Sequence, residues 1–141
     1  MYDETWFTKI EPTILTRLQY YLSEKEDAPF PDLICTTTKR NITETEEAVT
    51  GQFPTLYMFV RNKEIGNDLE NITVNGVDST LKLTVYDNVS KERCEQIINA
   101  ALAVIKSMRF SAPDLPLCTE YKNIYLADAI CRRKYGAGDE I

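Results

Sequence analysis

Four cysteines, three glutamates bunched at Glu44, Glu46 and Glu47, and no histidine are what any chemistry in this chain has to be built from. Without imidazole it lacks the commonest general base near neutral pH and the commonest nitrogen ligand for a transition metal. Cys35, Cys94, Cys118 and Cys131 contain no Cys-x-x-Cys pair, the spacing that sets two sulfurs on one zinc or one redox centre. Three of the four lie in apolar patterns, where a thiol behaves as a small hydrophobic side chain. Cys94 is the candidate nucleophile, because Arg93 beside it and a helix first turn around it both favour the thiolate. It shares a stripe with Ile97 and Ile98, however, which predicts burial. The glutamates have no second ligand type nearby and read as a solvated loop. No glycine-rich loop follows a strand, and Gly-x-Ser-x-Gly is missing. The expectation is a protein that is not an enzyme, with no catalytic residues, no metal and no cofactor.

Composition narrows the class. With 141 residues, 43% hydrophobic and 27% charged, the chain is expected to be a single soluble domain over 1–141 with a core of its own. The formal charge of −6 is uneven: residues 1–70 hold 13 acids and 7 bases, whereas residues 71–141 hold 9 of each. Unassisted duplex binding requires a clustered positive surface, and the composition offers no such excess. An even cysteine count and Asn-x-Ser/Thr triplets at Asn41, Asn71 and Asn88 would fit a secreted glycoprotein. Against that, Met1-Tyr-Asp-Glu-Thr-Trp is acidic with no apolar signal core behind it, and the run Ala100 to Ile105 is too short to span a bilayer. A cytoplasmic protein with reduced thiols is expected.

The elements that position these residues follow from periodicity. Leu81, Leu83 and Val85 alternate with Thr80, Lys82, Thr84 and Tyr86, the pattern of a strand with one buried face. The period then becomes helical. Cys94, Ile97, Ile98, Ala101, Leu102, Ile105 and Met108 form one stripe of a helix over 90–108, with Ser90 placed to cap it and Glu92, Glu95, Asn99 and Lys106 on its wet side. Ile10, Ile14, Leu15, Leu18, Tyr21 and Leu22 predict an N-terminal helix from about Pro12. Leu33 to Thr38 reads as a short strand, and Phe53 to Val60 as a second that is central and covered on both faces. Arg61 to Asn71 reads as a long polar loop, a frequent site of contact. Asn75-Gly76 marks either a turn or a bulge within a long strand. Residues 111–117 are extended by two prolines, loop residues follow, and Ile124 to Tyr135 is a last strand. Arg132-Arg-Lys134 is the only basic run, expected to be solvated or paired with acids. Gly136 to Ile141 is expected to be flexible. The architecture is therefore α+β: a mostly antiparallel mixed sheet with the long helix 90–108 and the N-terminal helix packed on one face.

Several short motifs, in order, carry a resemblance. They are Phe53-Pro-Thr-Leu-Tyr, Gly66-x-Asp-Leu-Glu70, Asn75-Gly-Val77, Tyr86-Asp-Asn-Val-Ser90 leading into a helix that ends Lys106-Ser-Met-Arg-Phe110, and Arg132-Arg-Lys-Tyr-Gly-x-Gly-Asp139. Over about residues 50 to 141 the chain resembles the tail terminator, or tail completion, family of long-tailed bacteriophages. That resemblance implies a structural virion protein at the head-proximal end of the tail, assembled in the host cytoplasm. Its partners would be further copies in a homo-hexameric ring, the tail tube protein and a head–tail connector or stopper protein. DNA would pass through the lumen without specific binding, and no membrane would be involved. Another neck component, such as a head-closure protein, is the alternative. Subunit or tube contacts are expected at Arg61, Lys63, Glu64, Asn67, Asp68, Glu70, Asn75, Arg132, Arg133 and Tyr135. The acidic half could line the channel, since like charge prevents DNA from adhering.

Overall fold

In a computed structural model, described at residues 6–37, 53–65, 76–112, 116–121 and 123–141, two helices lie on one face of a five-stranded sheet. Along the chain come a 3₁₀ turn at Trp6–Lys9, α1 (Ile10–Gln19), a π-helical turn at Tyr20–Glu24, β1 (Ile34–Thr36), β2 (Thr55–Ile65) and β3 (Gly76–Asp87). Then follow α2 (Lys91–Ser107), β4 (Leu117–Tyr121) and β5 (Ile124–Gly136). This is the expected α+β arrangement.

The helical stripe lies where the periodicity places it. Cys94, Ile97, Ile98, Ala101, Leu102, Ile105 and Met108 are all buried. Ser90 caps α2, its Oγ accepting the Arg93 N–H at 3.1 Å. At the other end Arg109 N–H donates to the Lys106 carbonyl and Phe110 N–H to the Ile105 carbonyl. That paired pattern ends a helix through a left-handed residue, and Arg109 holds φ 69 where glycine usually serves. In α1, Pro12 sits in the first turn, and Ile10, Ile14 and Leu18 turn inward with Leu22.

The sheet order is β1-β2-β3-β5-β4, with β1/β2 parallel and the other pairs antiparallel. β3 is the spine, paired from Thr55↔Tyr86 to Ile65↔Gly76 on one side and from Gly76↔Gly136 to Asp87↔Tyr125 on the other. Its Val77, Leu81, Leu83 and Val85 meet Leu56 and Met58 of β2, Ala127, Ala129 and Cys131 of β5, and the helices in one core. β1 is held from outside by Gln19, whose Nε2 donates to the Leu33 carbonyl at 3.1 Å and whose Oε1 accepts the Cys35 N–H at 2.9 Å. One amide side chain thus stands in for a neighbouring strand and ties α1 to the sheet.

Three expectations are corrected. Arg61 to Ile65 is not loop but the second half of β2, because pairing with residues 76–80 of β3 outweighs the poor strand propensity of Asn, Lys and Glu. β2 is not covered on both faces: Phe59 is 52% exposed, and only Leu56 and Met58 are sealed by the helices. Gly76 pairs in register with Ile65 at the start of β3, and Asn75, the other half of the expected turn or bulge, lies outside the described residues. A Cβ at Gly76 would lie 3.0 Å from Ile65 Cγ1 and 3.2 Å from the Tyr135 carbonyl oxygen, a close approach that favours glycine at this pairing. Residues 118–121, expected as loop, belong to β4.

Candidate functional site

Since side chains alternate along a strand, each of β2, β3 and β5 presents one set to the helices and another away from them. The register aligns the second set in rows: Tyr57–Thr84–Asp128, Phe59–Lys82–Ile130, Arg61–Thr80–Arg132 and Lys63–Asp78–Lys134. No helix among the described residues covers these rows. The face divides in two. Near the β2 start, a shallow depression of about 520 Å³ is lined by the rings of Tyr57, Phe59 and Tyr86 and by Leu126, with Lys82, Thr119, Thr84 and Asp128 among them, the last two of these joined by a 2.8 Å hydrogen bond from Thr84 Oγ1 to Asp128 Oδ1. Ile130 and Leu117 extend its apolar rim, exposed at 51% and 71%.

Beyond it the face turns basic. Arg61, Lys63, Lys82, Arg132 and Lys134 confront only Asp78 and Asp128, and none of the five is ion-paired among the described residues. The acids gather elsewhere. Glu24, Glu26 and Asp27 are exposed in the turn after α1, and Glu92 and Glu95 on the first half of α2, where Arg93 Nη2 binds Asp32 Oδ2 at 2.7 Å. An overall charge of −6 therefore hides a positive sheet face and a negative corner.

Three of the expected contact residues, Arg61, Lys63 and Arg132, meet on this face. Glu64 is exposed, but its parity turns it to the opposite side of β2. Asn67, Asp68, Glu70 and Asn75 fall outside the described residues. Arg133 and Tyr135 are corrected, being buried at 8% and 1% exposure on the helix side. Arg133 Nη1 donates to the Met108 carbonyl at 2.7 Å and Nη2 to the Glu140 carbonyl at 2.6 Å, with the guanidinium 3.8 Å from the Tyr135 ring centre. A cation there satisfies a carbonyl at the negative end of α2 and pins the last residues of the chain. The C-terminal segment is accordingly seated rather than loose: Gly136 N–H donates to Asp139 Oδ2 at 2.6 Å, and Ile141 packs on the core. Burial pushes the Tyr135 hydroxyl upward, against the opposing effect of Arg133.

Phe59, Lys82, Ile130 and Lys134 share the sheet face with Arg61, Lys63 and Arg132, although none is among the expected residues. Their alternation was visible, but sharing one surface depends on the β2–β3–β5 register, which no local pattern encodes.

The thiols lie in settings opposite to those of an activated nucleophile. Burial raises Cys35 to about 12, with Glu24 adding to it, and raises Cys131 to about 11 against the pull of Lys106. Cys94 is also driven up, first by burial and then by Cys118, and its Sγ points at the Val85 carbonyl at 3.8 Å. Asp87 is fully buried; Arg93 Nη1 stands 3.9 Å away, and neither carboxylate oxygen has a hydrogen-bond partner among the described residues. Among the described residues no group of three metal-ligating side chains occurs and no helix is long and apolar enough to cross a membrane. No protein-family profile matches the chain, and no curated protein is significantly similar to it in sequence.

Proposed function

We propose that this protein is a structural component of a phage tail, resembling a tail terminator: one subunit of a ring that caps the tail tube and joins it to the head connector. The supporting observation is the sheet face that no described helix covers, where a depression lined by Tyr57, Phe59 and Leu126 adjoins five cations with no ion pair among the described residues, on a chain of net charge −6. A lone subunit gains nothing from such a surface, whereas a subunit in an assembly can bury it. The ordered motifs from Phe53 to Asp139 give the face its context. In this role the protein works by shape and edges, as a hexamer in the virion, with DNA sliding through a lumen that does not bind it.

The direct test is tube assembly from purified tube protein, watched by negative-stain electron microscopy. Added in excess, the protein should halt elongation and leave a ring at one end of each tube. Tubes that grow unchecked, with no co-sedimenting protein, would refute the proposal. Binding to the portal assembly but not to tubes would favour the head-closure alternative. For the lumen, replacing Glu64, Asp68 and Glu70 by lysine should slow DNA passage, and ejection at the normal rate would rule out a channel-lining role for them.

A further inference from the structure

We propose that the uncovered sheet face receives the acidic corner of a second copy of this chain, head to tail. The inference rests on the ring reading above and adds to it which surface meets which.

Three observations point to this occupant. The first is charge. The sheet face carries five bases against two acids, whereas the corner where the end of α1 meets the start of α2 carries Glu24, Glu26, Asp27, Asp32, Glu92 and Glu95 against Lys25, Lys91 and Arg93. Opposed potentials steer and align two surfaces, while like surfaces repel. The second is apolar content. Phe59, Ile130 and Leu117 stand exposed on one surface, and Tyr20, Tyr21 and Ile34 at 50%, 46% and 47% on the other. Each patch is apolar with a charged border, the anatomy of a protein interface.

The third is placement. The corner sits at the end of the sheet where β2 begins, since Ile34 N–H bonds the Pro54 carbonyl and Asp32 bonds Arg93 at the start of α2. Arg61 lies six residues further along β2, roughly 20 Å away at about 3.3 Å per residue, and on the opposite layer. Two different patches on opposite sides of one subunit make a heterologous contact, which closes into a ring when the rotation between subunits allows. A nucleic-acid strand is the rival occupant. Asp78 and Asp128 within the rows, the aliphatic Leu117 and Ile130 beside the one well-exposed ring, Phe59, and the chain's net charge favour a protein.

The test is a charge swap. One variant carries Arg61→Glu, Lys82→Glu and Arg132→Glu; the other carries Glu24→Lys, Glu26→Lys and Glu92→Lys. All six positions are exposed, and near-ultraviolet circular dichroism checks that both fold. In analytical ultracentrifugation at low salt and high concentration, wild type should associate, and less so in 0.5 M salt as charges are screened. Each variant alone should associate at least tenfold more weakly, because its two contact surfaces now share a sign. An equimolar mixture should regain the large species, since every contact in an alternating array is again between opposite charges.

Four results overturn the assignment. They are a variant that assembles like wild type, a mixture that stays monomeric, a wild type that makes no self-contact in solution or on tube ends, and a face that binds a fluorescent single-stranded oligonucleotide without affecting assembly. If the swap fails while wild type still caps tubes, the choice of faces is wrong and the ring reading survives. If capping fails as well, both fall.

Discussion

Arg133 shows how one residue can be worth more to the fold than to a partner. Its guanidinium serves the end of α2, the chain's last residues and the Tyr135 ring at once. Lysine keeps the charge but has no planar fork to reach two carbonyls in different directions. Arg133→Lys should therefore cost about 1–3 kcal/mol, the range for buried hydrogen bonds lost without replacement. Thermal unfolding should record a fall in melting temperature of roughly 3–10 °C for a chain of this size. A variant melting with wild type would show that the bonds are dispensable.

The thiols make a pH prediction at the same scale. In the folded chain Cys131 keeps its proton to about pH 11, whereas an unfolded thiol releases it near 9. Below 9 both states are protonated and stability is unaffected. Between 9 and 11 the unfolded state alone ionises, so stability falls as pH rises, by up to about 1.4 kcal/mol per pH unit for each such thiol. Cys131→Ala should show a shallower loss of melting temperature across that window than wild type. An identical slope in both would mean that Cys131 ionises alike folded and unfolded.

Among the elements, α2 was the most legible in the sequence and β2 the least. The helix declared itself because its cap, its stripe and its wet face agree within one stretch of chain, Ser90 to Met108. The second half of β2 was hidden because Arg61-Asn-Lys-Glu is held extended by pairing with β3, a partner that comes later in the chain. β4 was hidden for the same reason. The candidate site inherits this split: the outward alternation of Lys82 and Tyr86 could be read locally, but their alignment with Phe59 and Ile130 could not. The misassignment of Arg133 and Tyr135 has a simpler cause. A basic run on a strand sends alternate charges to opposite faces, and the sequence does not say which side the helices cover.

One feature of α2 was not visible at all, its ending through Arg109 at φ 69. A side chain in the left-handed region costs roughly 1–2 kcal/mol, while glycine gives back part of that in unfolded-state entropy. Arg109→Gly should stabilise the protein by about 0.5–1 kcal/mol, seen as a rise of roughly 1–4 °C in melting temperature. A lower melting temperature would mean that the arginine side chain makes a compensating contact.

At the scale of the molecule, one covered and one uncovered layer give the domain a polarity that its net charge conceals. The helices seal Leu81, Leu83 and Val85, while the far side of the same strands is left to Phe59, Lys82 and their row-mates. A face that joins aromatic and aliphatic side chains to five cations, and an acid-rich corner on the helix side, give the subunit a front and a back.

The central strand has a consequence in time as well as in space. Flanked along its whole length, β3 can release its amides to heavy water only when β2 or β5 peels away, which here amounts to losing the core. In hydrogen–deuterium exchange followed by mass spectrometry, peptides from 79–87 should be the last to take up label. Those from the short outer strands β1 and β4 should exchange orders of magnitude sooner. Uniform labelling across all five strands would mean that the sheet opens in a single step, without the sequential peeling that its strand order implies.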